Sequence, residues 1–163
     1  MTSSTQAKSY RPFITVASMI EQDGRILFIK ETIREKLVLN QPAGHVDEGE
    51  SILEAVVRET LEETGWQVEP EALVGVYQWI SGLSGRSYLR FVIACRPVHH
   101  DPSLPLDVPV QSIHWFTPEE ADQLRSEFRS PMVDRALDDF LAGQRYPLDG
   151  LAYLPELNES RPK

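Results

Sequence analysis

The sequence predicts a mixed α/β domain, with β-rich runs on either side of one strong early helix and two weaker helices near the end. Three observations lead there. The β-rich runs come in pairs joined by glycine-bearing turns. A capped amphipathic helix stands between two of those pairs. The 163 residues, 41% hydrophobic and 25% charged, match the length and composition of one ordinary globular domain. The domain is expected over residues 10–150, with flexible tails at 1–9 and 155–163, where the chain is polar.

In chain order, Phe13–Ile20 (FITVASMI) and Arg25–Glu31 (RILFIKE) are the first two strands, and Asp23-Gly24 between them is a tight-hairpin signal. A helix follows and ends at Gly65. Leu73–Ile80 (LVGVYQWI) and Tyr88–Arg96 (YLRFVIACR) form a second strand pair around the loop SGLSGRS, and Ser112–Phe116 is a short strand. Thr117-Pro118-Glu119-Glu120 opens a helix with a Thr cap, Pro in the first position and Glu three after the cap. A last helix covers Pro131–Ala142 and stops at Gly143. The order β-β-α-β-β-β-α-α is not a regular βαβ alternation.

Charge and cysteine content narrow the function. With 16 Lys and Arg against 25 Asp and Glu, the net charge is −9, which argues against nucleic-acid polymers or anionic membranes as partners. Bound divalent cations would still let an acidic protein take a polyphosphate. No apolar run approaches the ~20 residues of a membrane helix, and the start of the chain does not read as a signal peptide. The single cysteine, Cys95, excludes an intrachain disulfide and reads as a small core residue in a cytoplasmic protein.

The informative segment runs from Gly44 to Trp66, GHVDEGESILEAVVRETLEETGW. Ser51 and Glu54 make a capping box, so the helix starts near Ile52. At about 100° per residue, Leu53, Val56, Val57 and Thr60 fall on one stripe and should face the sheet. Glu59, Glu62 and Glu63 fall on another face, with Ala55 among them leaving space above the helix. Arg58 can pair along the helix with Glu54 or Glu62. Carboxylates on adjacent turns repel one another by a few tenths of a kcal/mol per contact. Hard divalent cations would remove that repulsion. A solvated acidic face explains the glutamates alone but neither the glycine-rich approach from Gly44 to Gly49 nor the placement of Glu50.

Gly44, Glu50, Arg58, Glu59, Glu62, Glu63 and Gly65 match every fixed position of the Nudix box, G-x5-E-x7-R-E-U-x-E-E-x-G-U, where U is bulky and apolar. Such a match arises by chance on the order of once in 10⁸–10⁹ windows. The segment therefore resembles the Nudix hydrolase family, departing from it at Thr60, which should pack much as Val would. The resemblance implies the family's fold, a mixed β-sheet sandwiched between α-helices. It implies Mg²⁺, or Mn²⁺ in its place, and hydrolysis of a phosphoric anhydride bond in a small diphosphate-containing substrate. It also implies Glu59, Glu62 and Glu63 as metal ligands, Glu50 as ligand or supporting partner, a carbonyl at Gly44 as a further ligand, and Arg58 as the residue that orients the glutamates. Glu63 is then a candidate general base. NQPAGH, YQWIS, LRF, RSPMV and GQRYPL are similar to the phosphatase NudJ subgroup, which implies nucleoside tri- and diphosphates and thiamine-type pyrophosphates as substrates.

Outside the box, Arg90 is a charge inside an apolar strand and the favoured substrate-phosphate contact, with Lys30, Arg34 and Lys36 as further candidates. Aromatics on a strand are more often core than ligand-facing; of Trp79 and Tyr77 one, but not both, is a candidate to face the cleft and stack on a substrate ring. His99-His100 lacks further ligands at metal spacing. The alternatives to a broad hydrolase are a narrow one for a nucleoside diphosphate sugar or dinucleotide, and a nucleotide-sensing module without catalysis. Retention of the box glutamates weighs against the sensor. A monomer or homodimer fits either enzyme.

Overall fold

A computed structural model of the chain describes residues 10–155. The expected tails lie outside the described residues, apart from Pro155. The strands are β1 (Phe13–Gln22), β2 (Arg25–Ile33), β3 (Lys36–Asn40), β4 (Ala43–His45), β5 (Trp66–Ile80), β6 (Ser87–His100) and β7 (Val110–Phe116). The helices are α1 (Ile52–Thr64), α2 (Pro118–Gln123) and α3 (Pro131–Leu141), with single 3₁₀ turns at Arg125–Glu127 and Leu148–Gly150.

The seven strands form one mixed sheet that divides at β1. On one side β1 pairs antiparallel with β4 and parallel with β6, and β6 pairs antiparallel with β5. On the other, β2 pairs antiparallel with β3 and β7. The halves join where Glu21 and Gln22 meet Ile26 and Arg25 across the Asp23-Gly24 turn. Both turn residues have positive φ, 54° and 72°, the twist a two-residue hairpin requires.

Strand alternation then separates two cores. Val16, Ile20, Ile93 and Cys95 point to α1 and pack on Ala55 and Val56. Ala17, Met19, Val92 and Ala94 point to the opposite face and pack with Val133, Ala136, Leu137 and Phe140 of α3. The sheet is thus sandwiched between helices. No helix among the described residues is long and apolar enough to cross a membrane.

Three local differences from the sequence reading have physical causes. β3 and β4 escaped notice because they are five and three residues long, and a stretch as short as Ala-Gly-His has no strand propensity of its own. β5 begins at Trp66 rather than Leu73. Pro70 lies in its first half, but β5 is the outermost strand of its half, and its register shifts around Pro70 absorb the missing donor. Thr60 does not merely fill a valine's place: its hydroxyl lies 2.8 Å from Ser18 Oγ and donates to the Val56 carbonyl at 2.6 Å, tying α1 to β1.

Candidate active site

The loop between β4 and α1 delivers the helix with its cap already made. Ser51 Oγ accepts from Glu54 N–H at 3.1 Å, and the Glu54 carboxylate accepts from Ser51 N–H at 2.9 Å. Glu54 is therefore occupied, and Arg58 turns instead to the other glutamates. Its Nε and Nη2 form a two-pronged pair with Glu50 at 2.7 and 2.8 Å. Its Nη1 donates to Glu59 at 2.9 Å and to Glu62 at 3.1 Å, and Nη2 also reaches the His45 carbonyl at 3.0 Å. One planar guanidinium with five donors makes all five of these bonds, including the two-pronged pair, more than the three donors of a lysine could supply. These bonds hold the Glu50 carboxyl below the usual range.

The glutamates do not share one face as expected. Ala55 is fully buried against the sheet rather than open above the helix. This rotation carries Glu63 inward, next to Val56 on the helical wheel, and leaves Leu53 and Val57 half-buried. Glu62 stays in solvent, Glu59 lies between, and Glu63 is 6% exposed. Its carboxylate accepts one hydrogen bond, from Ala43 N–H at 2.7 Å. Burial, helped by the nearby carboxylates of Glu31 and Glu59, pushes the Glu63 carboxyl up to about 8, against the pull of the Ala43 hydrogen bond and of Arg129. Burial also raises Glu59, against the pull of Arg58.

Gly44 is needed for space. The Glu59 carboxylate lies directly over its Cα, so any Cβ there would overlap it. The Gly44 carbonyl faces elsewhere. Ser18 N–H donates to the Pro42 carbonyl and Val46 N–H to the Ile14 carbonyl, two residues to either side of the Val16–Gly44 pair. By the alternation of an antiparallel ladder, Gly44 turns its carbonyl to Val16, while Ala43 and His45 turn theirs away from β1. Ala43 N–H already meets Glu63 on that side, so the carbonyl presented to the glutamates is that of Ala43. Gly65 closes the helix in the left-handed conformation, φ 71°, packed against the Asp101 carbonyl.

Among the described residues, no three acidic or histidine side chains converge as a ready-made metal cage. The reason is Arg58, which occupies the centre that Glu50, Glu59 and Glu62 would otherwise surround. The donors are nonetheless all oxygen, and a buried carboxylate with one hydrogen bond is what a hard cation would satisfy. The set fits a divalent ion once Glu59 and Glu62 turn from Arg58.

Beyond the glutamates lies a cavity of about 150 Å³, lined in part by Arg34, Trp79, Tyr88, Arg90, Arg129 and Ser130. Arg90 is 6% exposed and donates only long bonds to neutral oxygens, Thr15 Oγ1 at 3.5 Å and Asn40 Oδ1 at 3.4 Å. Burial and the nearby Arg129 pull it down to about 10, still a cation at neutral pH. Arg129 pairs with buried Glu31 at 2.8 Å, and Asn40 donates to the same carboxylate oxygen at 2.9 Å. Burial and the guanidiniums of Arg129, Arg90 and Arg86 hold His45 below its ordinary value, so this corner is locally positive in an acidic protein.

Trp79 stacks on Tyr88 at 5.7 Å. Tyr77 lies on the same face, two residues away, and donates to Asp139 at 2.9 Å; alternation could not have parted them. Lys30 does not line the cavity: its ammonium meets Glu127 at 3.4 Å. Lys36 is exposed. Cys95 is core, its thiol pushed up to about 12 by burial, and His100 stacks on Trp66. The sequence named Asn40, Arg129 and Ser130 only within the NQPAGH and RSPMV motifs and without a role, and it passed over Glu31. Glu31 carried a signal, a carboxylate in an apolar strand run like the charge at Arg90.

Comparison with known proteins agrees with this fold. The NUDIX domain matches residues 10–136. Phosphatase NudJ from Escherichia coli K12 is 36% identical over 140 residues, 86% of this chain and 90% of that protein. Among solved structures, a NUDIX hydrolase from Nitrosomonas europaea is 43% identical with a TM-score of 0.86, covering 88% of this chain and 98% of its own. The E. coli ORF135 protein is 27% identical with a TM-score of 0.64, covering 81% and 90%. Box, fold and relatives agree: the chain belongs to the Nudix family and is a hydrolase acting on pyrophosphate bonds.

Proposed function

We propose that the chain is a Mg²⁺-dependent hydrolase, able to use Mn²⁺ instead, that cleaves nucleoside tri- and diphosphates and thiamine-type pyrophosphates. The observation that carries the metal is Glu63, a buried carboxylate with one hydrogen bond and no ion pair among the described residues, beside Glu59 on the surface that only Gly44 allows. Glu59, Glu62 and Glu63 hold the ion, with the Ala43 carbonyl taking the place expected of Gly44. Glu50 acts through its two bonds to Arg58, which keeps Glu59 and Glu62 at the site until an ion draws them over. Held by those residues, a divalent ion would supply the charge to neutralise phosphate oxygens and to activate water. Glu63, already drawn toward neutral pH, is the acid–base candidate. Arg90 holds a substrate phosphoryl group, and Trp79 offers a face to its ring.

The substrate class rests on the NudJ-like motifs, together with the relative's name as a phosphatase. Lack of any disulfide suits a reducing cytoplasm, and the substrate is a small molecule met by a monomer or homodimer. The test is a panel of nucleoside tri- and diphosphates, thiamine pyrophosphate, a nucleoside diphosphate sugar and a dinucleotide, with products identified by mass. Turnover of the first three classes, lost in EDTA and restored by Mg²⁺, is expected. Full activity in EDTA removes the metal, and turnover of the sugar nucleotide alone removes the substrate class.

A further inference from the structure

The RSPMV segment plays no part in the box, yet it forms one wall of the 150 Å³ cavity through Arg129, Ser130 and Met132. Ser130 is the N-cap residue of the eleven-residue α3, with extended backbone, φ −159° and ψ 161°. A serine there ordinarily accepts from the first-turn N–H groups. This one does not: its hydroxyl makes no cap bond and has no partner among the described residues, although the residue is only 7% exposed. A buried hydroxyl without a partner costs about 1–3 kcal/mol unless a ligand completes it.

Three further features meet it. Arg90 lines the same cavity as a buried cation, with no carboxylate in ion-pair contact among the described residues. Arg129, next in the chain, is held at the rim by Glu31, which Asn40 fixes from the other side. The start of α3 adds the positive end of its dipole, the usual attraction of a helix N-terminus for anions. The space equals several waters at about 30 Å³ each, enough for a tetrahedral oxyanion.

We propose that this cavity is an oxyanion site in which Arg90, Arg129 and the Ser130 hydroxyl at the N-terminus of α3 hold a phosphoryl group. Glu31 and Asn40 are positioning residues that aim the two guanidiniums. That the group belongs to the substrate rests on the proposed function; that the cavity binds an oxyanion does not. The same chemistry suits a phosphoryl group of the bound substrate or the inorganic phosphate released from it.

The experiment titrates inorganic phosphate into the EDTA-treated full chain, by calorimetry, for wild type, Ser130→Ala and Arg90→Gln. Without metal the glutamates repel phosphate, so the heat reports on this cavity. Ser130→Ala loses no contact inside the protein and should keep the wild-type melting temperature while weakening phosphate about tenfold, the size of one hydrogen bond to a charged group. Arg90→Gln should weaken it further. Equal affinity in all three proteins, or no binding to wild type, overturns the site. With Mg²⁺ and a nucleoside triphosphate, a tenfold rise in KM for Ser130→Ala at near-constant kcat assigns the group to substrate. A change confined to inhibition by phosphate assigns it to product. If the panel of anhydrides is not turned over at all while phosphate still separates the variants, the substrate assignment falls and the oxyanion site stands.

Discussion

Glu63→Gln in metal-free protein isolates the energetics of the buried carboxyl. Glutamine keeps the shape and still offers an oxygen to Ala43 N–H, so the variant differs from wild type chiefly in losing a titration. The sign follows from the raised pKa. Between the ordinary value of 4.5 and about 8, the folded protein holds one proton that the unfolded chain has released. Folding stability therefore falls as pH rises through that window, and is fully retained below it. One group contributes at most about 1.4 kcal/mol per pH unit. Urea unfolding in EDTA at pH 5.5, 6.5 and 7.5 should thus show the variant gaining on wild type by about 1–1.4 kcal/mol per step. Using the difference between the two proteins cancels the histidines and other acids that titrate in both. Saturating Mg²⁺ should reverse the order, because only wild type offers the charged ligand, and an ion at one hundred times its Kd adds about 2.7 kcal/mol. A gap that stays constant from pH 5.5 to 7.5 refutes the reasoning: Glu63 would then be charged in the folded protein and already compensated.

Thr60→Val removes the partner of Ser18 Oγ, which is fully buried, and should cost about 1–3 kcal/mol in urea unfolding; adding Ser18→Ala should recover part of it. Gly44→Ala places a methyl in the Glu59 carboxylate and should lower kcat at least a hundredfold, about 2.7 kcal/mol, with circular dichroism unchanged. Arg58→Ala frees Glu50, Glu59 and Glu62 to repel one another and should lower both kcat and stability, the latter by about 1–3 kcal/mol because the site is partly solvated. Normal kinetics in a folded Arg58→Ala protein would show that the guanidinium does not set the glutamate geometry.

Much of the site could be read from residue spacing because the box is local. Its caps, its glutamates and its terminating glycine lie within one loop and helix, where 3.6-residue periodicity governs. What could not be read depends on contacts distant in sequence. Helical spacing gives angles between side chains but not which angle faces the sheet, so Glu63 looked equivalent to Glu59 and Glu62 until the sheet buried it. The Gly44 carbonyl needed the register of β1 against β4. Lys30 and Arg90 looked alike as cations in strands, yet Glu127 from a late 3₁₀ turn pairs with one, while among the described residues no carboxylate is in ion-pair contact with the other. Ser130 stood in the sequence only as the serine of RSPMV, before a proline at a helix start, and its unused hydroxyl is what marks it as a contact.

The parallel pairing of β1 with β6 sets an order of events during synthesis. Phe13–Ile20 must wait for Tyr88–Cys95, seventy-five residues later, before the centre of the sheet exists. Helix α1 ends at Thr64, thirty-one residues before Cys95, yet it packs on Ile93 and Cys95 as well as on Val16 and Ile20. At about 5–20 residues per second, roughly two to six seconds separate the two on the ribosome. For that interval the nascent chain carries an apolar helix stripe with half its floor missing.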